Sequence, residues 1–76
     1  MTFDELWERV PGLPYTAKKH VPESLSQDTK KKLEQYTPFQ IGAMVRFAIN
    51  EIEHGSIETI DNIVRKQVFK NPTDAN

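Results

Sequence analysis

Thr37-Pro38-Phe39-Gln40-Ile41-Gly42-Ala43-Met44-Val45-Arg46-Phe47-Ala48-Ile49-Asn50-Glu51-Ile52-Glu53-His54-Gly55 is the stretch on which the fold turns. Thr37 can cap the first free N–H groups of a helix, Pro38 suits the first helical position, and Gln40 completes a capping box. The pattern predicts a helix from Pro38 to His54 that Gly55 terminates. Ile41, Met44, Val45, Ala48 and Ile52 lie on one stripe. Phe47 and Ile49 widen it beyond the roughly 100° of a surface helix. Neighbours are therefore expected on more than one side, with this helix at the centre. Gly42 and Ala43 would let another backbone approach closely, although glycine costs a helix about 1 kcal/mol.

Downstream, Ser56 is placed to cap a last helix from Ile57 to Phe69, with Ile57, Ile60, Ile63, Val64 and Val68 as its buried face. Glu58 and Asp61 come early and Arg65, Lys66 and Lys70 late, the order that the helix dipole favours. Asp61 and Arg65 also stand at i,i+4, the spacing of a pair. Upstream, Ser26 caps a helix reaching Tyr36, with Asp28 in its first turn and Leu25, Leu33 and Tyr36 as its few apolar positions. Thr2-Phe3-Asp4-Glu5 is another capping box. It opens a short helix with Phe3, Leu6, Trp7 and Val10 on one face, and Pro11-Gly12 stops it.

Between these elements, Pro11 to Ser24 reads as an irregular segment broken by Pro11, Gly12, Pro14 and Pro22 and anchored by Leu13, Tyr15 and Val21. The anchors favour a loop laid on the core; an extended recognition segment at Leu13-Pro14-Tyr15 is the alternative. The predicted architecture is all-α: a compact small bundle of a short N-terminal helix, an ordered proline-containing loop and three further helices. Residues 1–70 are expected to form one domain and residues 71–76 a disordered tail.

The chain has 76 residues, no cysteine and a formal net charge of −1. Without disulfides or thiolate metal sites, the core alone must stabilise a small domain. That usage fits a reducing, cytoplasmic setting. No apolar run is long enough to span a bilayer, and Met1 to Glu5 lacks a signal-peptide pattern. Near-neutral charge gives no global field toward nucleic acid or membrane.

Nothing in the sequence assembles a catalytic set, a cofactor loop or a metal site, so a non-enzyme without cofactors is expected. His54 suits the negative end of its helix, and His20 is expected to face solvent. Glu51 and Glu53 are too far apart in direction to share a metal. They also sit where the dipole disfavours acids; compensation by Lys30 to Lys32 or by Arg65 and Lys66 is expected, and an acidic patch for a basic partner is the alternative. The leading expectation is a protein-interaction module with a protein partner or homodimer, using Phe39, Phe47, Ile49 and Phe69 where these are not core. The competing one is nucleic-acid binding through a face of Lys18, Lys19, Lys30, Lys31, Lys32, Arg65 and Lys66. A helix-turn-helix at Glu53-His54-Gly55-Ser56 is disfavoured, because Glu58 and Asp61 would meet phosphate at the leading end of the recognition helix.

Leu25-Ser26, Leu33, Pro38-Phe39, Val45-Arg46, Gly55 and Ile60 follow one further pattern. From Leu25 onward the chain resembles the small helical domain at the C-terminus of the light-independent protochlorophyllide reductase B subunit, also found free-standing. The resemblance implies a helical accessory domain. Leu25 stands where that family has tryptophan, Gly42 where an arginine follows Pro-Phe, and the leucine-to-proline gap is one residue longer. The first two dozen residues lie outside the pattern, and no active-site residue carries over.

Overall fold

A computed structural model of the chain describes residues 1–69. Among them it forms five α-helices and no strand: α1 Phe3–Glu8, α2 Tyr15–Ser24, α3 Gln27–Leu33, α4 Pro38–Glu53 and α5 Ile60–Phe69. The all-α bundle expected from the pattern is what forms. The fraying expected of Asn71–Asn76 lies outside the described residues.

Both capping boxes close. The Thr2 hydroxyl accepts from Glu5 N at 3.3 Å while the Glu5 carboxylate accepts from Thr2 N at 2.9 Å. Thr37 and Gln40 exchange the equivalent bonds at 3.1 and 2.9 Å. These caps use only side chains within one turn, so sequence alone dictates them. Gly12 and Gly55, which follow α1 and α4, hold φ of 76° and 101°, a left-handed region that glycine enters without penalty.

Pro11 to Ser24 is not a loop, because its last 10 residues, Tyr15–Ser24, are α2. Pro14 precedes the first helical residue, and Pro22 falls in the last turn. Between them the backbone has room for two turns, and Leu13, Ala17, Val21 and Leu25 recur every fourth residue toward the core. Pro22 has no N–H to give the Lys18 carbonyl four residues back. The indole N–H of Trp7 takes that acceptor instead, at 2.8 Å. The Lys18 ammonium lies 5.4 Å from the Trp7 ring centroid and donates to Val10 O at 2.7 Å.

The last helix also begins later than the pattern predicts. The Ser56 hydroxyl accepts from Glu58 N, two residues on, and so closes a turn rather than a helix. Thr59 takes the capping role, accepting from Asn62 N at 3.1 Å. Ile57 consequently sits outside the helix at 99% exposure instead of in the core. The chain does turn tightly after α4, with Gly55 N–H donating to Ile52 O at 3.1 Å and Ser56 N–H to Glu51 O at 3.0 Å, but the connection then runs on to Thr59 before α5 begins. Similarly, α3 stops at Leu33, and Glu34 to Tyr36 continue as single turns bonded three residues back.

The core runs through Phe3, Leu6, Trp7 and Val10 of the N-terminal segment, then Val21, Leu25 and Leu33, and closes on Ile41, Val45, Ala48, Ile63, Val64 and Val68. The helix with most neighbours is α5, which packs on α4, α3 and α2. The expected centre, α4, is buried along Ile41, Gly42, Val45 and Ala48 only. Its neighbours are short and cover one side, so the widened apolar arc is left partly open. At Gly42 the close neighbour is a side chain and not the expected backbone: an added Cβ would stand 3.0 Å from Val10 Cγ1, with Pro11 O at 3.6 Å.

Polar side chains tie the ends. Asp61 does not pair with Arg65; its carboxylate accepts from Ser26 N at 2.8 Å, beside the fully buried Thr29. Burial pushes the Asp61 pKa up, but the bonds from Ser26 and Thr29, helped by nearby Arg65, outweigh it and hold the carboxyl below its ordinary value. Glu34 accepts from Phe3 N at 3.0 Å, joining α3 to the start of α1. Arg46 donates to Pro11 O at 2.9 Å.

Candidate functional site

The row Phe39, Ala43 and Phe47, spaced four residues apart, forms the outer face of α4, away from the core. Phe39 is 68% exposed and Phe47 49%. Below Phe47, a groove of about 330 Å³ runs between α4 and α5, lined by Phe47, Glu51, Glu58, Ile63, Lys66 and Gln67. Its floor is apolar and its rim charged. Lys66 and Glu58 bind each other across it, so the rim is internally neutralised at that point. Ile52 and Ile57 are also exposed near the same end of α4.

Of the four apolar residues expected at a partner surface, Phe39 and Phe47 thus share one face. Ile49 is half-buried against the core, and Phe69 lies apart at the end of α5. The Phe69 ring, 47% exposed, sits between two cations, Lys32 at 5.3 Å and Arg65 at 5.1 Å from its centroid. With Lys31, Asp28 and Gln35 these three line a second groove of about 340 Å³ between α3 and α5.

The basic residues expected to form a single face are distributed over several. Lys18 is drawn onto Trp7 and Val10, where loss of water lowers its pKa against the opposing pull of Glu8. Lys30 covers the Phe3 ring at 5.6 Å, and Lys66 is bound to Glu58. Lys19 is exposed on α2. Lys31, Lys32 and Arg65 converge around Phe69, and Lys30 and Lys31 line a groove against Phe3. Consequently none of the expected basic residues forms an ion pair with Glu51 or Glu53.

His54 is the C-cap of α4, with its Nδ1 donating to Asn50 O at 2.8 Å, the structural place expected for it. His20 is exposed beside Glu23 at 3.4 Å. Among the described residues no group of three metal-ligating side chains comes together. No helix among them is long and apolar enough to cross a membrane. Ile57 and Tyr15, which the pattern places as core anchors, are both strongly exposed. The signal for Ile57 was Thr59, a second cap candidate three residues after Ser56.

No family model, curated protein or solved structure matches the chain. The likeness of the region from Leu25 onward to the protochlorophyllide reductase domain therefore rests on sequence pattern alone.

Proposed function

We propose that this chain is a non-enzymatic helical protein-interaction module whose contact surface is the outer face of α4. The observation that carries this reading is the exposure of Phe39 and Phe47 on one helix face of a domain whose core is otherwise closed. Among the described residues every buried side-chain nitrogen or oxygen has a hydrogen-bond partner. Exposed aromatic rings on one helix face are a usual mark of an interaction site, and aromatic side chains carry much of the interface energy. An accessory role beside a larger enzyme, implied by the protochlorophyllide reductase resemblance, would use the same face.

A photo-reactive residue at position 47, compared with one at exposed Thr16, tests the reading in the source cells. Position 47 is expected to give discrete cross-linked species that position 16 does not. Equal, diffuse labelling at both positions would overturn it.

The ring of Phe69 between Lys32 and Arg65 favours a second reading, contact with single-stranded nucleic acid, whose bases stack on aromatic rings flanked by cations. Such binding should weaken with salt by a log–log slope of about 0.7 per phosphate contacted. A gel-shift series across salt concentrations reads it, and no shift at low salt rejects it.

A further inference from the structure

We infer that the partner on the outer face of α4 is a second copy of this chain, paired antiparallel about a two-fold axis at Ala43. This rests on the interaction reading above and names the occupant. Three observations select a second copy.

The first is register. Phe39 and Phe47 lie symmetrically about Ala43, each four residues away, or about 6 Å along a helix. A two-fold axis through Ala43 brings Phe39 of one copy against Phe47 of the other, and repeats that contact on the far side. This is the self-complementarity an isologous interface requires. Ala43 is exposed and small, so the two backbones can approach at the axis, where a larger side chain would hold them apart.

The second is the groove. It begins at Phe47 and descends to Ile63, so it lies where the incoming Phe39 ring arrives. Each copy supplies one projecting ring and one groove, and both pairs are satisfied at once.

The third is charge. Glu51 and Glu53 stand at the negative end of α4, no basic residue occupies its last turn, and neither acid has an ion-pair partner among the described residues. Glu51 lies eight residues beyond the axis, while the partner helix begins five residues from its own Ala43. Glu51 therefore reaches past the partner's first turn, toward the positive end of that dipole. A parallel pair would instead bring the two acidic ends together. The dipole contribution is small, so it sets orientation while the aromatic contacts set affinity.

One helix face per copy is a modest interface, so association should depend on concentration. The chain has no cysteine, which makes single-cysteine variants direct reporters. Ala43→Cys should oxidise to a linked dimer at least about tenfold faster than Thr16→Cys, because the two thiols meet at the axis. Asn50→Cys, on the same face but far from the axis, should link no faster than Thr16→Cys. Ala43→Glu should leave helical content unchanged and abolish the concentration-dependent mass seen by sedimentation equilibrium. A native chain that stays monomeric at every concentration overturns the inference, as does equal linking of Ala43→Cys and Thr16→Cys. Linking of Asn50→Cys as fast as Ala43→Cys indicates a parallel pair and overturns it too. A monomer whose position 47 still cross-links to a different protein removes the second copy and leaves the interaction reading standing.

Discussion

The corner where α1, α2 and α4 meet and the outer face of α4 are treated in opposite ways by the same small chain. At the corner, even the irregular backbone is provided for. The Trp7 indole, the Lys18 ammonium and the Arg46 guanidinium each donate to a carbonyl that no helix satisfies, at 2.8, 2.7 and 2.9 Å. The stems of those side chains also cover apolar surface. On the outer face, two phenylalanines and an alanine meet no comparable cover. The uncovered rings are therefore not a by-product of a chain too short to fold well. Side chains long enough to shield them exist, and they are committed elsewhere.

The largest effect is expected at Trp7. Trp7→Ala should lower stability by about 3–5 kcal/mol, the cost of truncating a buried aromatic, and in a domain of this size that approaches total stability. Urea denaturation measures it. A loss near that of a surface change would mean that the corner is looser than its bonds imply.

A smaller effect is expected at the α3–α5 junction. Asp61→Ala should cost about 1–2 kcal/mol at neutral pH, since Ser26 N–H loses a charged acceptor. The pH dependence follows from the direction of the shift. The folded pKa of Asp61 lies below the ordinary 3.8, so its contribution is complete above that value and is lost as pH falls through the folded value. Native protein should therefore lose stability below about pH 4 more steeply than Asp61→Ala. Superimposable acid limbs in the two melting series would remove Asp61 from the account.

The smallest effect belongs to the exposed side of the comparison. Ile57→Ser should change stability by no more than about 0.5 kcal/mol, because the side chain leaves water for nothing on folding. A larger loss in thermal melts of dilute protein would show that Ile57 is covered after all.

Legibility in the sequence followed the range of each interaction. The starts of α1 and α4 were readable because Thr2–Glu5 and Thr37–Gln40 act within a single turn. α2 is hidden by Pro14 and Pro22: their type argues against a helix, while their positions, one just before it and one in its last turn, leave two turns free between them. Ser56 signals the start of α5 too early, because its hydroxyl serves Glu58 N two residues on and leaves the cap to Thr59. Phe39 and Phe47 could be flagged from composition and spacing, while the groove beside them could not, since α4 and α5 build it jointly. The scattering of the lysines was hidden for the same reason: Phe3, Trp7, Glu58 and Phe69 each claim one from a distance in sequence.

Pro22 has a consequence that extends beyond one molecule. By withholding an N–H from the Lys18 carbonyl, it keeps that acceptor vacant for the indole of Trp7. The two positions are thus linked by inheritance as well as by contact. In descendants of this chain, a lineage that exchanges Pro22 for a residue with a backbone donor returns the carbonyl to its own helix and relaxes selection on the tryptophan. Positions 7 and 22 should therefore covary, kept together or surrendered together.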